Sequence, residues 1–252
     1  MTRTHRPMTI DQVRVDNERT RTFTFEQPLP AEPGQFVMAW LPDVGEKPFS
    51  VAGADPFALN VVAVGPFSEA LHRLGPGDRV WIRGPLGHGF EIEGQRLLLV
   101  GGGYGVAPLL FLAREAMSRG CQAETCVGAR TAAEVLLVED FTAAGAGVRI
   151  TTEDGSLGTE GLVTAAVEAA IEGQQPDTVY ACGPVGMLQA VHRLCRTHGL
   201  SHQLSWEAMI RCGLGLCGSC ELTDVEGIEP GWLVCVDGPV AIFSNQDTDE
   251  RG

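Results

Sequence analysis

Arg96-Leu97-Leu98-Leu99-Val100-Gly101-Gly102-Gly103-Tyr104-Gly105-Val106-Ala107-Pro108 decides how the middle of this chain folds. The first five residues are an apolar run of strand length, continuous enough to be buried on both faces. The glycines that follow end the strand, and a helix is expected from Ala107 to Arg119. Glycines at a strand-to-helix turn let the backbone approach a pyrophosphate, and the helix N-terminus adds N–H groups and partial positive charge. Gly101, Gly102, Gly103 and Gly105 are therefore candidate nucleotide contacts. The spacing Gly103-x-Gly105-x-x-Pro108 departs from strict G-x-G-x-x-G at its last position, and such turns also arise for packing alone.

Downstream the same rhythm continues. Strands are expected at Glu124–Val127, Gly147–Thr151 and Thr178–Cys182. Helices are expected around Ala132–Glu139, Leu162–Ile171 and Pro184–His198. Strands alternating with helices predict a doubly wound parallel sheet over residues 94–203, a nucleotide domain. Ligands in such sheets lie beyond the carboxyl ends of the strands. Cys182, Gly183 and Pro184, which end a later strand, could thus lie against a nicotinamide ring. Taken alone, a small residue closing a tight turn is the favoured reading of Cys182. Arg130 follows the second strand, where a 2′-phosphate could lie, and reads equally as a solvated surface arginine.

Upstream, residues 8 to about 92 read as all-β, and the expected domain covers 1–93. Gln35–Trp40, Leu59–Val64 and Arg79–Ile82 are short apolar runs separated by Asp-Pro, Pro-Gly and Gly-Asp turns, the texture of a small barrel. Within it Lys47-Pro48-Phe49-Ser50 sets a cation, an apolar face and a hydroxyl side by side, which suits a flavin, although a Pro-aromatic turn is common.

The last segment, 204–252, carries Cys212, Cys217, Cys220 and Cys235 in the spacing C-x4-C-x2-C-x14-C. C-x4-C-x2-C with a distant fourth cysteine is the plant-type pattern for a [2Fe–2S] cluster. Structural zinc also uses four cysteines, but more often pairs two C-x2-C elements, and only one is present. Residues 205–245 are too few for a core of their own, so bound metal is expected to do much of the folding there.

Composition narrows the field. A chain of 252 residues with 44% hydrophobic content can bury a sizeable core. A net charge of −14 argues against nucleic acid and against an anionic membrane surface as partners. The N-terminus lacks the apolar core of a signal peptide, and the most apolar stretch, Leu97–Ala113, is broken by glycines and a proline. A cytoplasmic protein with reduced thiols is expected. Cys121 and Cys126 read as buried small residues.

A β-barrel, then G-G-G-x-G-x-x-P, then Cys-Gly-Pro, then a four-cysteine tail resembles the ferredoxin–NAD(P) reductase superfamily. Cys212-Gly213-Leu214-Gly215-Leu216-Cys217-Gly218-Ser219-Cys220, followed by Leu233-Val234-Cys235-Val236-Asp237-Gly238-Pro239-Val240, is similar to the electron-transfer subunits of B-type dihydroorotate dehydrogenases. So is Gly84-Pro85-Leu86-Gly87-His88-Gly89-Phe90 after the barrel. The resemblance covers nearly the whole chain. It implies a ferredoxin-reductase-like flavin barrel, FAD, one [2Fe–2S] cluster, NAD as the nicotinamide, and a catalytic dihydroorotate dehydrogenase subunit as partner in a heterotetramer. By family position, Lys47, Pro48, Phe49 and Ser50 correspond to the flavin motif, and Val62, Ala63 and Val64 to a strand beside the flavin. Phe67 and Ser68 stand where a Gly-Thr phosphate-contacting pair is usual, and Lys47 where arginine is usual. No side chain is expected to act on a carbon substrate, because the cofactors carry the chemistry. The same module in a hydrogenase, a sulfite reductase or a ferredoxin–NADP transhydrogenase, a non-enzymatic redox sensor, and a zinc-stapled binding module remain open at this point.

Overall fold

A computed structural model describes residues 4–244. The chain begins with strands β1 (Arg6–Val15), β2 (Thr20–Phe25), β3 (Phe36–Leu41), β4 (Gly45–Ala54) and β5 (Phe57–Val62), helix α1 (Pro66–His72) and strand β6 (Arg79–Leu86). The strands close into a barrel in the order β1-β2-β5-β4-β3-β6. Alternation explains the closure: Phe23, Phe25, Val37, Ala39, Phe57, Leu59, Val61, Val80 and Ile82 fill one buried cluster, as the period of two requires. Phe36, Met38 and Leu86 belong to a different cluster, outside the barrel wall. The all-β expectation for this region is corrected by α1, whose Phe67, Ala70 and Leu71 plug the barrel core. The expected strand Leu59–Val64 also stops early, at Val62.

The second half contributes β7 (Arg96–Gly102), α2 (Val106–Ser118), β8 (Gln122–Ala129), α3 (Val138–Ala143), β9 (Gly147–Thr152), β10 (Thr159–Glu160), α4 (Val163–Gly173), β11 (Thr178–Cys182), α5 (Val185–Thr197), β12 (Ser201–Ser205) and β13 (Val240–Phe243). The sheet order is β10-β9-β8-β7-β11-β12-β13, parallel throughout except for antiparallel β13. Leu97 and Leu99 pack with α2 and α3 on one face, and Leu98 and Val100 with α4 and α5 on the other. A strand covered on both faces has no use for polar alternation, which is why β7 is uniformly apolar. The helix expected around Ala132–Glu139 is instead a short 3₁₀ turn, Ala132–Glu134, and the separate α3. Leu137, at φ 59, breaks the helix between them while Leu136 and Leu137 turn into the core.

Residues 206–239 hold turns and two isolated bridges, Glu221 with Leu233 inside the segment and Pro239 with His88. This segment borrows its core. Trp206, Cys220, Leu222, Val234 and Cys235 share a cluster with Leu98, Val100 and Leu188 of the sheet domain and with Phe36, Met38 and Leu86 of the barrel wall. Its end returns as β13 on the sheet edge.

Candidate functional site

The strand order reverses between β7 and β11, so the loops after both strands face one crevice, the switch point of an open α/β sheet. The structure brings the glycine run and Cys182-Gly183-Pro184 together there. A Cβ on Gly105 would lie 2.3 Å from the Cys182 carbonyl oxygen, so this glycine is required by the contact between the two loops. Gly101 and Gly102 likewise pack against protein, on Val106 and Met187. Gly103 differs: it has φ +55 and nothing within 4 Å of an added Cβ. The open approach predicted for four glycines is thus concentrated in one. The first turns of α2 and α5 carry no side-chain cap, which leaves N–H groups directed at the crevice. Cys182 is buried, and burial pushes its thiol up to about 12, so it stays protonated.

Two residues at this crevice went unread in the sequence. The Tyr104 hydroxyl donates to Glu207 Oε2 at 3.0 Å. Desolvation raises the Glu207 carboxyl above its usual range, and burial with the nearby carboxylate pushes Tyr104 up to about 12. Tyr104 counted only as a spacer in the glycine run, and Glu207 had no motif; β12 delivers it by lying beside β11. Arg130 forms a two-point pair with Glu134, at 3.0 and 2.5 Å, on the surface.

On the barrel, Lys47 and Ser50 are exposed and Pro48 and Phe49 half-buried along β4. Phe49 packs on Phe67 with ring centroids 5.9 Å apart. Val62 and Ala63 are half-buried, and Val64, 72% exposed, forms an open apolar ledge just past β5. The Phe67 and Ser68 side chains are engaged within the protein. Phe67 is in the barrel core, and the Ser68 hydroxyl accepts from the Val64 and Gly65 N–H groups and donates to the Gly65 carbonyl.

The cysteine loop lies against the outer barrel wall. At Gly213 an added Cβ would come within 3.2 Å of Leu86 and 3.3 Å of Met38. Met38 pairs across the ladder with Pro48 of the Lys47–Ser50 motif, so that motif and the cysteine loop flank one strand. Cys220 and Cys235 are buried, Cys212 is half-buried and Cys217 exposed. The backbone N–H of Leu214 donates to Cys212 Sγ at 3.4 Å, and that of Gly215 to Cys235 Sγ at 3.3 Å. The Ser219 hydroxyl lies 3.1 Å from Cys217 Sγ; this contact and Cys212 bring the Cys217 thiol down to about 6. Burial, with Cys220 next, pushes Cys235 up to about 12. Among the described residues no three His, Cys, Asp or Glu side chains surround a single ion position. A two-iron cluster asks for thiolates spread over two metals, and N–H groups aimed at sulfur suit it.

Comparison with known proteins settles the family. Residues 207–244 match the iron-sulfur cluster binding domain of dihydroorotate dehydrogenase B, and residues 99–193 an oxidoreductase NAD-binding domain. The chain is 42% identical to the probable dihydroorotate dehydrogenase B (NAD(+)) electron transfer subunit of Thermococcus kodakarensis, over 94% of this chain and 95% of that one. The chain belongs to the family of dihydroorotate dehydrogenase B electron transfer subunits. A second member, from Methanopyrus kandleri, is 40% identical over 93% of this chain and 88% of its own. Among solved structures, that of an NADH-dependent reduced ferredoxin-NADP oxidoreductase, described for flavin-based electron bifurcation, superposes with a TM-score of 0.82 at 31% identity, covering 93% of this chain and 87% of that one. A ferredoxin reductase of carbazole 1,9a-dioxygenase, with a TM-score of 0.67 at 21% identity, covering 78% of this chain and 66% of that one, shares the fold. The cofactors are therefore a [2Fe–2S] cluster, FAD and NAD, and membership of this family replaces the zinc reading. The thiol set with its N–H donors, the apolar ledge beside β4, and the open Gly103 turn between two uncapped helices fit the three groups in turn. As an electron transfer subunit the chain works with a catalytic partner subunit. No described helix is long and apolar enough to cross a membrane.

Proposed function

We propose that this chain carries electrons between NAD and a catalytic dihydroorotate dehydrogenase subunit, in a cytoplasmic heterotetramer that serves pyrimidine biosynthesis. The bound flavin supplies the change between two-electron and one-electron chemistry, and the cluster supplies the single-electron exit. The residues of the chain bind and orient. Lys47 offers its point charge to the flavin phosphates, without the bidentate fork an arginine would bring. Pro48 and Phe49 supply the flat apolar wall, Ser50 a hydroxyl, and Val62, Ala63 and Val64 the ledge. The Phe67–Ser68 turn contributes backbone. Gly101, Gly102, Gly103 and Gly105 shape the turn that receives the dinucleotide, with Gly103 at the point of approach. Cys182, Gly183 and Pro184 close the opposite side of the crevice, where the protonated Cys182 thiol is a neutral neighbour. Cys212, Cys217, Cys220 and Cys235 hold the iron. The three units are 1–93 for FAD, 94–203 for NAD and 204–252 for the cluster.

The observation that carries this reading is that a single strand, β3, separates the Lys47–Ser50 motif from the cysteine loop, with Met38 touching the loop. Exposed Leu216, Met209 and Val236, at 82%, 64% and 42%, ring the solvent side of the loop and suit a docked protein. The charge of −14 argues against nucleic acid and anionic membranes as partners.

The test is the visible spectrum of anaerobically purified chain before and after NADH, with Cys220→Ser as control. Flavin bands and an iron–sulfur shoulder that both bleach are expected; the shoulder alone should vanish in Cys220→Ser. A flavoprotein that ignores NADH would sink the proposal. Co-purification with a hydrogenase or transhydrogenase subunit instead of the dehydrogenase would reassign the partner.

A further inference from the structure

Arg83 sits on β6, on the outer face of the barrel, and is 5% exposed. Its Nε donates to Glu46 Oε1 at 3.2 Å, and its Nη2 to both Glu46 oxygens, at 3.1 and 3.3 Å. The same Nη2 donates to the backbone carbonyl of Cys212 at 2.9 Å. Nη1 is buried and has no hydrogen-bond partner. Glu46 in turn meets His5 Nε2 at 2.6 Å, toward the barrel surface. Arg83 is thus the polar link between the barrel wall and the first cysteine of the cluster loop, set beside the apolar contacts of Met38 and Leu86 with Gly213.

A buried guanidinium stays charged and is costly to place unless it is paired. Cys212 could be held by apolar contacts alone, and a neutral donor would satisfy its carbonyl. The loop instead receives a full positive charge whose Nη1 amino group is left unpaired. We propose that Arg83 is a positioning residue that seats the cysteine loop on the barrel and, through its charge, raises the reduction potential of the cluster held there. Reduction would make a thiolate-bound cluster held there one unit more negative. A cation in a low-dielectric wall favours that state. Glu46 shares Nε and Nη2 of the guanidinium and meets His5, so its carboxylate partly offsets the effect without itself bonding the loop. The inference rests on the reading of Cys212, Cys217, Cys220 and Cys235 as iron ligands.

The test uses the full chain with its cofactors: wild type, Arg83→Gln, Arg83→Lys and Glu46→Gln. Midpoint potentials are measured by spectroelectrochemical titration with electron paramagnetic resonance detection. Iron content and hydrogen exchange over residues 211–218 are read in parallel. Arg83→Gln should lower the cluster potential and Glu46→Gln should raise it, with a smaller change at the flavin. Arg83→Lys should keep the potential near wild type while exchange in the loop speeds up. A purely structural strut predicts that removing either half of the ion pair moves the potential the same way, or not at all; either result overturns the proposal. Should Arg83→Gln lose its iron, Glu46→Gln decides alone, and an unchanged or lowered potential there counts against it. A wild-type chain without a cluster would instead break the underlying ligand assignment.

Discussion

The sheet and the cysteine segment hold their sites by different means. The sheet surrounds β7 and β11 with helices on both faces, so the crevice at its switch point stands on a core built mainly from the sheet's own strands and helices. The cysteine segment has almost no regular structure between Trp206 and Pro239 and leans on walls that the sheet and the barrel provide. A site on its own core is preorganised before any ligand arrives. A site on borrowed walls depends on a few anchoring side chains and on the metal that ties its loop together.

The largest expected effect comes from pulling one of those anchors. Trp206 is 2% exposed and is the first residue after β12. Trp206→Ala should cost about 3–5 kcal/mol, read by denaturant melts, and should release iron before the flavin. Equal loss of both would show that the segment and the barrel unfold together. Gly105→Ala tests the other site, where the new Cβ would strike the Cys182 carbonyl. A destabilisation of about 1–3 kcal/mol is expected, with KM for NADH rising while the cluster spectrum is unchanged.

The seam between the two regions is pH-sensitive. His202 of β12 stacks on Phe243 of β13 at 4.8 Å, and its Nε2 lies 2.8 Å from His192 Nδ1. Burial brings the His202 imidazole down from 6.5 to about 4. The unfolded chain therefore takes up a proton that the folded chain refuses, and stability present above about pH 6.5 is lost as pH falls toward 4, by on the order of 3 kcal/mol. Thermal melts from pH 7.5 to 4.5 should show the decline, and His202→Gln should flatten it. The smallest effect is on the exposed rim: Leu216→Ala should leave stability within about 0.5 kcal/mol yet weaken capture of the catalytic subunit. A large loss of stability would mean that Leu216 packs inward.

Much of this molecule was legible because its signals are local. The apolar run Leu97–Val100 and the glycines after it announce a buried strand and a tight turn, and the cysteine spacing announces iron. The helix around Ala132–Glu139 was misread because propensity carried through Leu136 and Leu137, whose burial required a break in the chain. Ser68 was placed at a phosphate by family position, and only the structure shows that its hydroxyl also bonds the turn before α1. Arg83, Glu46, Tyr104 and Glu207 carried no sequence signal at all, since each matters through a partner far along the chain.

By itself the sequence determined the three-part order, the parallel sheet and the four-cysteine spacing, because periodicity and short spacings are properties of neighbouring residues. Only the tertiary structure decided that Gly103 alone among the four glycines faces open space, that Tyr104 meets Glu207, and that Arg83 reaches Cys212. Those contacts depend on which strands lie side by side and on which wall the cysteine loop rests, and chain topology fixes both through burial rather than through any local pattern.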